Sequence, residues 1–117
     1  MNFHSKIVGS TFCDGQRLFH ALKEGDKVRL VREPRNKFDK NAVRVDNWGG
    51  SKLGYLPKDT AKMVSDYIAE GREFTARVSD ITGRDKANLG CNLYIVGDFD
   101  EGDFRDGEQY YEYVENS

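Results

Sequence analysis

The sequence predicts a mainly β fold with two α-helices: a small six-stranded barrel of SH3-like or OB-like size, followed by an acidic C-terminal tail. Three observations predict it. Six short runs rich in β-branched and aromatic residues are separated by turn-forming residues. Two stretches place apolar residues at helical spacing and carry a glycine just past their end. Charge also changes abruptly near Gly97, beyond which eight acids face one base, Arg105. A chain of 117 residues is long enough for one core but not two. The expected organisation is therefore a barrel domain over residues 1–97 and a tail over 98–117, either disordered or docked on the barrel.

Taken in order, residues 3–8 form a first strand that bends at Gly9. Residues 16–23 have helical spacing, with Leu18, Ala21 and Leu22 on one face and Gly25 beyond the end, so a short helix covers one end of the sheet. Residues 28–31 and 42–45 are the second and third strands. In the latter, period two puts Val43 and Val45 on one face and leaves Arg44 exposed on the other. Residues 46–51, D-N-W-G-G-S, are a hairpin connection, because Asn and Gly tolerate the positive φ of a tight reversal. Trp48 at its tip either packs back on the barrel or stands ready to stack on a base. Residues 52–56 are the fourth strand. Pro57 suits the first position of a helix that reaches Glu70, with Ala61, Val64 and Ile68 inward and Gly71 as its stop. Residues 73–78 alternate cleanly, with Phe74, Ala76 and Val78 inward, and residues 91–96 form the last strand.

The site is expected between the second and third strands, where a polar loop is clamped by two apolar runs. From Lys27 to Arg44 there are seven basic residues and two acids, a local charge of +5 in a chain whose net charge is −2. The acidic pI of 5.7 is set by the tail, at −7; the remainder is basic, at +5. Phe38 and Asp39 stand inside this basic loop. That set suits holding a nucleic-acid backbone, stacking one base and accepting one hydroxyl proton; a solvated loop is the other reading. Lys58 opens a helix, where a cation opposes the macrodipole unless an anion joins it; the alternative is that Asp59 neutralises the end and Lys58 points to water.

Other chemistries lack their parts. The chain has no G-x-x-x-x-G-K-[ST], H-E-x-x-H or G-x-S-x-G, and no second acid or histidine stands next to Asp39 in its loop, so catalysis is not expected. His4, His20, Cys13 and Cys91 follow no common zinc spacing, and two cysteines without C-x-x-C are read as reduced thiols. No metal or cofactor is expected. Without a signal-peptide pattern or an eighteen-residue apolar run, the expectation is a cytoplasmic protein with no membrane partner and no small-molecule substrate.

The run R-E-P-R-N-K-F-D-K-N-A-V-R-V, followed by L-G-Y-L-P-K and an amphipathic helix, resembles the HIRAN domain, a small β-barrel module of certain DNA-repair helicases that also occurs free-standing in bacteria and phages. The resemblance implies a non-catalytic module that binds single-stranded DNA at its free 3′ end in repair or replication, with a helicase or nuclease acting in trans. It places the family's loop aromatic on Phe38, its hydroxyl-binding carboxylate on Asp39, its loop amide on Asn36 and its phosphate lysine on Lys58. Tyr55 falls where the family has a ring close to DNA, or is a core tyrosine; Arg35 and Lys40 add positive field. The chain departs from the helicase pattern at Ser5-Lys6, where those domains have Arg-Tyr, and in residues 83–90, which lack an aromatic. A different class of function also fits: a protein-interaction adaptor that uses the basic loop and the acidic tail.

Overall fold

The computed structural model describes residues 2–85 and 88–97. Along them run β1 (Asn2–Lys6), a 3-10 turn (Ser10–Phe12), α1 (Gly15–Phe19), β2 (Lys27–Arg32), β3 (Val43–Asn47), β4 (Lys52–Tyr55), α2 (Lys58–Ala69), β5 (Phe74–Thr82) and β6 (Gly90–Gly97). The strands form one antiparallel sheet in the order β1-β6-β5-β2-β3-β4. The predicted mainly β fold with six strands and two helices is what forms. The acidic tail lies outside the described residues.

The sheet curls until its two edges meet. Beyond Lys6 the chain bends, Ile7 N–H still donating to Cys91 O (2.9 Å), and Val8 exchanges both backbone hydrogen bonds with Tyr55 on β4 (2.8 Å each). This closure depends on Gly54. Its φ is +155°, and a Cβ there would stand 2.5 Å from Val8 O and 2.6 Å from an Ile7 methyl, so only glycine lets the crossing strand approach. Inside the curl, Phe3, Val28, Val43, Val45, Leu53, Ala76, Val78, Leu93 and Ile95 are buried, and period-two alternation is clearest on β5 and β6.

The helices plug this core, with α1 against β4 and α2 against β3. The predicted inner face of the first helix is corrected by the structure. The helix ends at Phe19, and Ala21 and Leu22 donate to Leu18 O and Phe19 O, a three-residue spacing that turns each successive side chain further than an α-helix does. Phe19 is therefore the fully buried residue, Leu18 and Leu22 pack at the margin, and Ala21 is exposed. In α2, Ala61 and Val64 are buried and Ile68 partly so, as their spacing predicts. Gly71 at φ +89° stops it: its N–H donates to Ile68 O and that of Arg72 to Tyr67 O. Pro57 takes the cap position, so Lys58 is the first helical residue rather than the second.

Two predicted turn boundaries move. β3 runs on to Asn47, so Asp46, expected in the hairpin, is a strand residue and is buried. β5 runs to Thr82 with an irregularity between Val78 and Asp80, which lets a polar segment stay in the ladder and still bury Ile81.

Candidate functional site

Residues 33–42 leave the β2–β3 ladder as a closed loop, with Glu33 N–H donating to Ala42 O (2.9 Å) and Ala42 N–H to Asp39 O (3.0 Å). Side chains fold the rest. Asn36 Oδ1 accepts from the backbone N–H groups of Phe38 (2.9 Å) and Asp39 (3.1 Å), and Asp39 Oδ1 accepts from Asn41 N–H (2.8 Å), two Asx-type turns in succession. The amide of Asn36 then donates to Glu33 Oε1 (3.0 Å). The same carboxylate accepts from the Tyr55 hydroxyl (2.8 Å) and, on Oε2, from Arg44 (3.0 Å). Burial works to raise the Glu33 pKa, but the hydrogen bonds from Asn36, Tyr55 and Arg44, with the charge of Arg44, outweigh it and hold the carboxyl below its ordinary value. Arg44 completes the assembly with a two-pronged bond to Asp46 (2.8 and 2.9 Å), and its pKa is raised by that bond first and by Glu33 as well.

This network presents Phe38 outward. The residue is 95% exposed, on a loop whose backbone is held at every turn. Leaving a phenylalanine ring in water forgoes about 1.5–3 kcal/mol of burial. Beside it opens a cleft of about 750 Å³ between the loop, the β1–β4 closure and the start of α2. Asn36, Phe38, Asp39, Tyr55 and Lys58, five of the residues singled out from sequence, line it together. Its floor is apolar, from Val8, Ala42, Leu56 and Ala61, and its polar groups are few, the usual make-up of a ligand cleft. Lys58 stands in the first turn of α2, an end with no capping side chain.

Arg35 and Lys40 are exposed on the loop but do not line the cleft; Arg35 borders a separate hollow with Pro34 and Lys37. Tyr55 is only half-buried and is not part of the core cluster; it lines the cleft, and its hydroxyl is tied to Glu33. Arg44, expected to be exposed, is clamped between two carboxylates, because Glu33 and Asp46 share its face of the sheet. The +5 stretch is thus divided. Arg35, Lys37 and Lys40 are exposed on the loop, Arg32 donates to Ser65 on α2 (3.1 Å), and Lys27 and Arg29 lie against Trp48 on the outer strand face.

Sequence reasoning passed over two members. Glu33 entered only as an acid to be counted, although a carboxylate one residue before Pro34 and three before Asn36 could have been read as a turn anchor. Lys52 lines the cleft with its ammonium 4.6 Å from the Tyr55 ring centroid, and hydrogen bonding with Tyr55 raises its pKa against the opposing effect of burial. In a regular strand Lys52 and Tyr55, three apart, point to opposite faces. The bulge between Val45 and Asp46 and the unusual backbone of Gly54 bring them together, and no sequence pattern announces that. Among the described residues no three His, Cys, Asp or Glu side chains converge, and Cys91 is a buried thiol whose pKa burial pushes up to about 12.

The chain belongs to the HIRAN domain family, whose model matches residues 1–99. Its relatives include the helicase-like transcription factor of Oryctolagus cuniculus, 39% identical over 66 residues, and the Fanconi-associated nuclease 1 homolog of Arabidopsis thaliana, 40% identical over 62 residues. These matches take in 56% and 53% of this chain but 6% of each relative. Among solved structures, the crystal structure of the HIRAN domain of human HLTF superposes with a TM-score of 0.68 at 22% identity, covering 96% of this chain and 88% of the other. The HLTF domain solved by NMR in its DNA-bound conformation gives 0.62 at 21% identity, covering 95% and 85%. At these identities the likeness is one of fold.

Proposed function

We propose that this domain is a non-catalytic reader of single-stranded DNA that receives a free 3′-OH end in the cleft beside Phe38. The observation that carries the reading is Phe38 itself, an almost fully exposed ring on a pinned loop, at the edge of a cleft that holds one carboxylate, Asp39, and two ammonium groups, Lys52 and Lys58. In this reading Phe38 stacks the terminal base, worth about 1–3 kcal/mol. Asp39 accepts the 3′-hydroxyl proton with the oxygen not engaged by Asn41. Lys58 and the uncapped start of α2 take a phosphate, and Lys52 neutralises the next one. Asn36 acts on the ligand indirectly, by fixing the backbone of Phe38 and Asp39; Arg35 and Lys40 contribute long-range attraction from outside the cleft. The DNA-bound conformation of the HLTF domain and the helicase and nuclease names of the relatives support DNA as the ligand, and support work in concert with a helicase or nuclease.

The deciding experiment is a titration of labelled oligonucleotides ending in 3′-OH or 3′-phosphate, with a third whose 3′ end is hidden in a hairpin. The 3′-OH strand should bind best. A 3′-phosphate sets like charge beside Asp39 and should weaken binding by more than one lost hydrogen bond, and Asp39→Asn should narrow that difference. Equal affinity for all three ends rules out end recognition, and no DNA binding at 50 mM salt leaves the adaptor as the reading to pursue.

A further inference from the structure

The second exposed aromatic, Trp48, belongs to a row of side chains that the cleft does not use. The ladder pairs His4 with Tyr94, Tyr94 with Arg77 and Arg77 with Lys27, so these four cross β1, β6, β5 and β2 side by side. Their strand neighbours Phe3, Leu93, Ile95, Ala76, Val78 and Val28 are buried, so the row itself stands on the outer face. Trp48, the residue after the last β2–β3 pair, extends it: its ring centroid is 5.5 Å from Lys27 Nζ and 4.0 Å from the Arg29 guanidinium, yet the residue stays 54% exposed. At the opposite end, the His4 and Tyr94 rings are 4.9 Å apart, and Asn2 donates to the Tyr94 hydroxyl.

Two features of this row call for an anionic partner. Lys27 and Arg77 face each other directly across β2 and β5, a like-charge pairing that costs stability and that negative charge over it would relieve; Arg77 Nη1 meanwhile donates to Gly25 O (2.9 Å). No carboxylate within the described residues pairs with Lys27, Arg29 or Arg77; Asp46, opposite Arg29 in register, is held by Arg44. The row is also continuous with the cleft. Lys58 lines both the cleft and a groove it shares with His4 and Lys6, where Asp59 is the one acid on the wall, and the row begins at His4.

We propose that this outer-face row is a second nucleic-acid subsite, which carries the body of a DNA strand away from the end-binding cleft and stacks a base on Trp48. The inference rests on the proposed end-reading function. Lys27, Arg29 and Arg77 meet backbone phosphates, while Tyr94 and Trp48 offer rings at either end. Four inter-strand steps separate His4 from Trp48, about 19 Å, and at about 3.4 Å per stacked nucleotide that is about six nucleotides beyond the cleft.

Trp48 is the sole tryptophan of the chain, so its emission reports this site in the unaltered protein. Oligonucleotides of three and ten nucleotides, both with 3′-OH, are titrated in salt near 150 mM. The ten-mer should bind at least ten-fold more tightly and quench Trp48; the three-mer should leave the emission unchanged. Lys27→Glu with Arg77→Glu replaces one like-charge pair by another, and should erase the ten-mer's advantage while leaving three-mer affinity as it was. Lys23→Glu with Lys62→Glu, the same change of charge away from the row, should preserve it. Equal affinities for the two lengths, unquenched emission with the ten-mer bound, or an advantage that survives the Lys27/Arg77 reversal overturns the proposal. Binding and quenching by the ten-mer alone would retain the row and reject the end-reading cleft; binding of neither rejects both.

Discussion

Two loops of this protein each push an aromatic ring into solvent, and they are held by different means. The hairpin tip around Trp48 is a short turn held locally at Asn47, by its backbone and its side chain: Asn47 N–H donates to Ser51 O, Ser51 N–H to Asn47 Oδ1 and Gly50 N–H to Asn47 O, and the ring rests on cations of the next strand. The loop at residues 33–42 is too long for that. Its shape comes from side chains, Asn36 and Asp39 folding the backbone while Glu33 ties it to Tyr55 and Arg44. The short turn draws its bonds from one residue within it, Asn47; the long loop hangs on a half-buried carboxylate at its base and fails with that carboxylate. The exposure of Phe38 is therefore that of a ring held in place from behind, with no contact of its own to lose.

The sharpest way to break this contrast is Glu33→Ala. It removes the acceptor of three hydrogen bonds, two of them from groups that remain beside the cleft, and should cost about 2–3 kcal/mol after allowance for partial exposure. Thermal denaturation should show a drop on the order of 10 °C, at about 4–8 °C per kcal/mol for a domain of this size, together with weakened DNA binding. A loss inside about 0.5 kcal/mol would mean that the loop is not held through Glu33. Acid should act in the same direction. The folded pKa of Glu33 lies below the ordinary 4.5, so the unfolded chain binds the proton first. The network's contribution is then complete above the unfolded value and lost as pH falls through the folded one. Replacing Glu33 by Gln should flatten the part of the stability curve below pH 4.5, and an unchanged slope would assign acid unfolding to other carboxylates.

Phe38→Ala should separate binding from folding. It is expected to weaken DNA affinity by about 1–3 kcal/mol, with the melting temperature unmoved, since the ring packs on nothing. A matching loss of stability would place the ring in the fold instead. Lys52→Ala should be milder, lowering the slope of log K against log salt by about 0.7, one phosphate on a single strand; an unchanged slope means that its ammonium serves Tyr55 alone. The smallest effect is expected for Trp48→Ala on stability. It forfeits exposed cation–π contacts worth about 0.5–1 kcal/mol, readable by denaturant unfolding, and a cost above about 2 kcal/mol would show that the hairpin tip depends on the Trp48 ring as well as on Asn47.

Read alone, the sequence determined the strands, because period-two burial is written into residues such as Phe74, Ala76 and Val78, and it determined α2 with its Gly71 stop. It also pointed to the loop after β2 as the candidate site, since Phe38, Asp39 and Asn36 are neighbours along the chain and a basic, amide-rich loop between apolar runs has local signals of its own. Tertiary structure decided the rest. Whether Arg44 faces water or two carboxylates depends on what stands on β2 and further along β3, and whether Lys52 enters the cleft depends on a bulge and on the closeness that Gly54 permits. The alignment of Lys27, Arg77 and Tyr94 is set by the registers of three strands drawn from distant parts of the chain. Local pattern reports which side of an element is wet; only the pairing of elements reports which wet residues meet.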